Sequence, residues 1–400
     1  MNSRVDLSVE RLLERFNQKY GRSDEPCRVF FAPGRVNLIG EYTDFTGGLV
    51  FPCGIKQGTL LIIRRSFNHQ YRFASTNFDL MAQLEQDEIN QTYGDNWINY
   101  PLGVLDQFSR SGVPINGFDC LYSGNVPNGA GLSSSASIEI VTAYALNQLM
   151  QTGLSLTELV LIAQAAENDF VGMQCGVMDQ FAVAMSQLNH AIKLNCSTLE
   201  HEQVPMDLQE YALVVSNTNQ RRELNESAYN DRVAECARAL ELLQPLIGID
   251  ELGQLLPEAL DQHEAAFSDD PVPLMRARHI CQENARVRAA VPALQAGDLT
   301  RFGQLMNESH DSLRDLFEVS SEPLNQLVSL AREQTNVLGS RLTGAGFGGC
   351  TVSLVPSTNI ESFERYVGKA YTEATGLTAD FYTIHPGNGV REVFNGVVNP

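Results

Sequence analysis

Apolar and polar positions alternate along this chain in two distinct periods. Short runs rich in β-branched and aromatic residues predict strands at 28–32, 59–63, 70–74, 118–122, 192–195, 212–216, 351–354 and 381–384. Longer segments carry apolar residues at helical spacing. Ile138, Val141, Ala145 and Leu149 share one face of a predicted helix, and Leu159, Ile162, Ala163, Ala166 and Phe170 share one face of the next. The second helix opens with Ser155-Leu-Thr-Glu158, a capping-box pattern. Residues 1–16 also read as an amphipathic helix. They lack the unbroken apolar core of a signal peptide, so the expected location is the cytoplasm. From 223 to 299 the chain is mostly helical and charged, with turn residues near 244–250 and 268–272. Strands and helices mix without a regular βαβ beat, which predicts an α+β fold rather than a doubly wound sheet. A chain of 400 residues exceeds what one core usually supports. Two domains are expected, 1–200 and 201–400, with the boundary in the Pro205 region.

Charge narrows the partners. Lys and Arg number 28 against 48 Asp and Glu, a formal charge of −20 that argues against nucleic acid or an anionic membrane surface. No stretch approaches the roughly 20 apolar residues of a membrane span. The eight cysteines form no CxxC pair, so they read as core residues rather than zinc ligands. A chain this acidic that binds an anionic ligand must neutralise it locally, and backbone amides and a divalent cation can do so.

Four segments carry candidate chemistry. In the first, Gly129, Ala130, Gly131, Leu132, Ser133, Ser134 and Ser135 lie between a predicted strand and a predicted helix. Glycines let backbone approach a ligand, serines supply caps and hydroxyls, and a helix N-terminus presents unpaired amides, so the run predicts an anion cradle. It is neither a G-x-x-x-x-G-K-[ST] loop nor a G-x-S-x-G elbow. In the second, Arg35, Asn37, Glu41, Tyr42, Thr43 and Asp44 crowd a loop-like run after a strand. Carboxylates accept hydrogen bonds from sugar hydroxyls, and Arg is a fixed donor. In the third, Glu167 sits at the edge of an apolar helix face, and Asp179 follows the turn at Gly176. Alone, these two read first as a solvated Glu and a capping Asp. The fourth packs Gly344, Gly346, Gly348 and Gly349 into six residues before a strand, which predicts close backbone packing.

Together these segments resemble the galactokinases of the GHMP kinase superfamily. Pro127 to Ala136 match the Pro-x-x-x-Gly-Leu-Ser-Ser-Ser-Ala loop, and Gly34 to Phe45 match the galactokinase signature except at Tyr42 and Phe45. Leu342 to Cys350 match the glycine-rich third motif, and similar wording recurs around Asn217, Tyr229, His310 and Asp315. The resemblance implies a two-domain α+β fold with the active site in the cleft between the domains, and transfer of the γ-phosphate of ATP to the C1 hydroxyl of galactose. It makes Asp179 the base and Arg35 the residue that stabilises charge beside it. Glu41, Tyr42, Thr43, Asp44, Gly176 and Tyr229 become sugar-binding positions, and 129–135 the phosphate loop. Ser135 and Glu167 become ligands of Mg2+, and Trp97, the sole tryptophan, an adenine-stacking residue. Trp97 reads equally well as an ordinary core residue. Tyr42 replaces the family's usual His, and Val233 stands where a second Arg is common. The Tyr42 exchange leaves room for a related hexose such as N-acetylgalactosamine. A galactose and ATP sensor without turnover is a further alternative, although Ser133, Ser134, Ser135, Arg35 and Asp179 are all intact. A mevalonate kinase would lack the Glu41 to Asp44 signature. Small-molecule sugar and ATP are the expected partners, with a monomer as the expected state.

Overall fold

The computed structural model describes residues 8–67, 70–94, 96–127, 131–220 and 225–396. The first half runs α1 (Val9–Tyr20), β1 (Cys27–Asn37), β2 (Leu49–Val50), β3 (Pro52–Arg65), β4 (Tyr71–Ser75), β5 (Met81–Leu84), α2 (Asn99–Arg110), β6 (Phe118–Gly124), α3 (Ser134–Met150), α4 (Leu156–Ala165), α5 (Met178–Met185), β7 (His190–Asn195) and β8 (His201–Pro205). The second runs β9 (Tyr211–Asn217), α6 (Asn225–Ile247), α7 (Pro257–Gln262), α8 (Pro271–Gln295), α9 (Leu299–Asp315), α10 (Glu322–Arg332), β10 (Gly339–Thr343), β11 (Cys350–Pro356), α11 (Ile360–Thr375), β12 (Asp380–Ile384) and β13 (Arg391–Gly396). The fold is α+β.

The six-stranded sheet has the order β13-β1-β3-β6-β4-β5, antiparallel except between β4 and β6. Its strands alternate between two covered faces. Phe30, Leu61 and Ile63 point into the core made with α2, α3, α4 and α5, while Val29, Phe31, Leu60 and Ile62 meet Leu12, Leu13 and Phe16 of α1. A four-stranded sheet, β10-β11-β9-β12, is covered by α10 and α11 on one face. Its other face, with Leu213, Val215, Val352 and Leu354, packs on α8, on α9 and on Ile39, Phe51 and Cys53 from the first half. This shared core fixes the segment after β1 against the second sheet. A third sheet has the order β2-β7-β8.

All eight predicted strands are present, some as parts of longer ones. The largest difference is at Ala32 and beyond, which is not a loop: β1 continues through Pro33, Gly34 and Arg35 to Asn37. A register shift between Pro33 and Arg35 opposite β3 absorbs the two residues that read as breakers. The predicted one-faced stripe on α3 is also too narrow. Ile140, Thr142, Ala143 and Leu146 are buried as well, because α3 lies inside a helical layer. The capping box at Ser155 forms as expected, with Glu158 N–H donating to Ser155 Oγ at 3.3 Å and Ser155 N–H donating to Glu158 Oε2 at 2.7 Å. All eight cysteines are free thiols. Among the described residues no helix is long and apolar enough to cross a membrane.

Candidate active site

A cavity of about 230 Å³ opens where the end of β1, the start of α3, the turn before α5 and the loop after β10 meet. Arg35, near the end of β1, is almost fully buried. Its Nε and Nη2 donate to Oδ1 and Oδ2 of Asp179, each at 2.8 Å, and its Nη1 donates to the Gly131 carbonyl at 2.6 Å. The planar fork thus fixes the Asp179 carboxylate and ties it to the segment that leads into α3. Burial works against the Arg35 charge, but Asp179, Glu41 and Asp44 outweigh it and raise its pKa.

The serines do not all act as expected of a helix start. Ser133 takes a left-handed conformation with φ of 58°, and its hydroxyl donates to Asp179 rather than capping α3. The helix therefore begins at Ser134 without a side-chain cap, and its first amides remain donors for an anion. Ser133, Ser134 and Ser135 line the cavity together with Gly131 and Leu132. Gly129 and Ala130 lie outside the described residues.

Glu167 is not on a solvated helix edge. It lies in a wide π-type turn, 166–171, that continues α4 inward, and it is buried. Gln180 Nε2 donates to it at 2.6 Å, and Ser135 and Cys175 also face it. Burial, then the Asp179 charge, push its carboxyl up to about 7. A hydroxyl beside a carboxylate that is repelled by its neighbours suits a hard dication. Among the described residues no three His, Cys, Asp or Glu cluster as a metal site by themselves. A cation here would take its other ligands from phosphate oxygens and water.

Glu41, Tyr42, Asp44, Gly176 and Tyr229 line the other side of the same cavity. Glu41 Oε1 accepts from Gly344 N–H at 2.7 Å and from Thr343 Oγ1 at 3.2 Å, and Arg341 lies 3.3 Å away. Asp44 is pushed up to about 7, mainly by desolvation and then by Asp179 and Glu41. Gly176 must lack a side chain, since a Cβ would fall 2.3 Å from the Asp44 carboxyl carbon. Tyr42 has φ of 65°, packs against Phe45, Tyr229 and Phe317, and donates its hydroxyl to the Ala345 carbonyl. The glycine-rich third motif therefore does pack closely: a Cβ on Gly344 would meet Gly131 O at 2.9 Å.

Two predicted positions stand apart. Thr43 is fully buried, its hydroxyl donating to Leu49 O at 2.7 Å, and it shapes the turn instead of lining the cavity. Trp97 stacks on Phe78 and meets Tyr122 edge-on. It lines a separate cavity of about 40 Å³ that shares Ser134 with the larger one.

Three family models match: the GHMP kinases N terminal domain over 99–187, the galactokinase galactose-binding signature over 14–65 and the GHMP kinases C terminal model over 290–373. A galactokinase of Enterococcus faecalis is 45% identical over 96% of this chain and 100% of its own. One from Bacillus subtilis is 43% identical over 92% of this chain and 95% of its own. The chain belongs to the galactokinase family. The crystal structure of Lactococcus lactis galactokinase complexed with galactose superposes with a TM-score of 0.93 at 40% identity, covering 96% of this chain and 100% of that one. Methanococcus jannaschii mevalonate kinase, at 17% identity and a TM-score of 0.61 over 90% of this chain and 98% of its own, shares the fold. As a galactokinase-family member, the chain is an ATP-dependent sugar phosphotransferase.

Sequence reasoning missed several groups here. Glu139 is fully buried beside Glu167, its carboxyl raised well above the usual range by burial and then by Glu167, and Gln180 Nε2 lies 3.1 Å from its Oε2. Its position one helical turn beyond Ser135 was the available signal. The role of Ser133 as a partner of Asp179 had no sequence signal at all, because it depends on a left-handed backbone.

Proposed function

We propose that the chain transfers the γ-phosphoryl group of ATP to the C1 hydroxyl of D-galactose, giving α-galactose 1-phosphate and ADP. The observation that carries this reading is the paired Arg35 and Asp179, set in one cavity between the carboxylates of Glu41 and Asp44 and the start of α3.

Each residue then has a task. Glu41, Asp44, Tyr42 and Tyr229 hold the sugar, with Gly176 leaving room for Asp44. Asp179 accepts the C1 hydroxyl proton as that oxygen bonds to the γ-phosphorus and the bond to ADP breaks. Arg35 keeps the carboxylate aimed and offsets the charge of the transferring group. Positioning and electrostatics dominate phosphoryl transfer, and the pairing with Arg35 supplies both. Ser133, Ser134 and Ser135, with the amides opening α3, cradle the phosphates, and 129–131 extend that loop. Ser135 and Glu167 would hold Mg2+, which when bound neutralises phosphate charge. Trp97, with Phe78, offers an aromatic surface to adenine, continuous with the phosphate loop through Ser134. We further assign a monomer in the cytoplasm, with halves 1–200 and 201–400, the first supplying most of the cavity wall and the second adding Tyr229, Gly344 and Ala345.

ADP release measured over a panel of hexoses tests the assignment. Turnover with galactose far above N-acetylgalactosamine and glucose is expected. Turnover confined to another hexose, or none with any, overturns it.

A further inference from the structure

Helix α8 carries a row of polar residues at helical spacing, Arg276, His279, Glu283 and Arg286. All four are buried, and His279 and Glu283 have no exposed surface. Buried polar groups must be partnered, so the partners state what the row is for. Arg276 binds Glu235, Glu318 and the Leu316 carbonyl, within the second half. The next two residues reach out of it. Glu283 Oε1 accepts from the backbone N–H of Gly40 at 2.9 Å, from that of Glu41 at 3.3 Å and from Ser309 Oγ at 2.7 Å. His279 Nε2 donates to the Glu41 carbonyl at 3.1 Å, while its Nδ1 lies 2.8 Å from Ser312 Oγ. Burial lowers the His279 pKa to about 4, so the ring is neutral and its Nδ1 accepts from Ser312. The peptide unit on either side of Glu41 is thus clamped on both its donor and acceptor sides.

We propose that Glu283 and His279 are positioning residues for the sugar, holding the Gly40–Glu41 backbone so that the Glu41 carboxylate faces the cavity. The assignment rests on the reading of Glu41 as a sugar ligand. The clamp is specific in direction: it acts on the 38–44 segment and, among the described residues, bonds to none of the serine loop or of the Trp97 cavity. Glu283 suits the task because it is ionised. Burial alone would raise its pKa, but the Arg286 guanidinium, 2.6 Å away, leads the groups that hold it below the usual carboxylate range. A charged acceptor binds two backbone amides more strongly than a neutral one. Gly40 has φ of 98°, and a Cβ there would meet Leu49 O at 2.7 Å, so the segment enters the clamp through a conformation only glycine accepts readily.

The test uses the intact chain with Glu283→Gln. Exchanging the carboxylate for an amide removes the charge and turns one of the two acceptor oxygens into a donor, so either Arg286 or the Gly40 and Glu41 amides lose their acceptor, and the galactose KM is expected to rise about tenfold while the KM for ATP stays within about twofold. Amide exchange of a 38–45 peptide in the sugar-free protein should quicken in parallel, with a 131–140 peptide unchanged. A folded variant with the wild-type galactose KM, or with equal rises in both KM values, overturns the proposal. Should Glu283→Gln fail to fold, Ser309→Ala and His279→Gln replace it, with the same split expected at about threefold. If the wild type itself does not act on galactose, the sugar reading falls, and the exchange measurement still decides the clamp: unchanged protection at 38–45 rejects it.

Discussion

Arg35 and Asp179 face each other in two parallel hydrogen bonds of 2.8 Å, although 144 positions separate them in the chain. The pair joins the end of β1 to the first turn of α5, so each side chain needs the other for its orientation. Asp179→Asn should lower kcat by about 10²–10⁴-fold while ATP binding persists. Arg35→Lys keeps the charge but loses the fork, and should also lose most of kcat. Coupled ADP release and equilibrium ATP binding check both, and an Asp179→Asn variant of full activity removes Asp179 from its role.

Ser135 and Glu167 supply oxygens on one side of the phosphate loop. Ser135→Ala should raise the Mg2+ concentration needed for half-maximal rate by about tenfold or more. Titration of Mn2+ into the protein with a non-hydrolysable ATP analogue gives a second readout. An unchanged metal requirement takes Ser135 out of the site.

Asp44 sets a pH dependence. Its carboxyl is pushed up to about 7, against 3.8 normally, by burial and then by Asp179 and Glu41. A raised folded pKa means that the stability due to Asp44 is full below about 4 and is lost as pH climbs through about 7. Sugar hydroxyls need the ionised form as acceptor, so sugar binding expels a proton below neutrality. The galactose KM should therefore climb as pH falls from 7.5 to 5.5, approaching about tenfold per unit. Calorimetry in two buffers at pH 6 should show proton release on binding. Asp44→Asn should remove that release and raise the thermal midpoint while abolishing activity.

Tyr42 reaches across to the glycine-rich third motif. Tyr42→Phe keeps the ring against Phe45, Tyr229 and Phe317 but leaves the Ala345 carbonyl without its partner. Unfolding in urea should show a loss of about 0.5–1.5 kcal/mol. No loss of stability with a large rise in galactose KM would give the hydroxyl to the sugar instead.

Trp97 is the sole tryptophan, so its emission reports one place. ATP binding should quench it, and Trp97→Phe should raise the ATP KM more than the galactose KM. Emission that ignores ATP but follows galactose rejects the adenine assignment.

Much of the site was legible because its residues lie in continuous words at the ends of predicted elements. Arg35, Glu41, Tyr42, Asp44, residues 131–135 and Asp179 all meet in one cavity. The backbone around them was less legible. Pro33 and Gly34 looked like a strand's end, yet a bulge lets β1 run on to carry Arg35. β10 escaped notice because Ser340, Arg341 and Thr343 are polar, and only tertiary partners such as Ser353 and the Asn37 carbonyl make them core residues. The same holds for His279 and Glu283, which read as part of a mostly helical, charged region and have no exposed surface. Burial of a charge depends on what folds over it, and no local pattern records that.

β13 pairs with β1 at the margin of the six-stranded sheet, and Arg28 binds Glu392 across 364 positions. During synthesis the ribosome must therefore release the chain as far as residue 396 before that outer strand can dock. Until then Cys27–Phe31 present an unpaired edge, open to any passing strand. Chaperone contact with the nascent enzyme would be most useful in that interval.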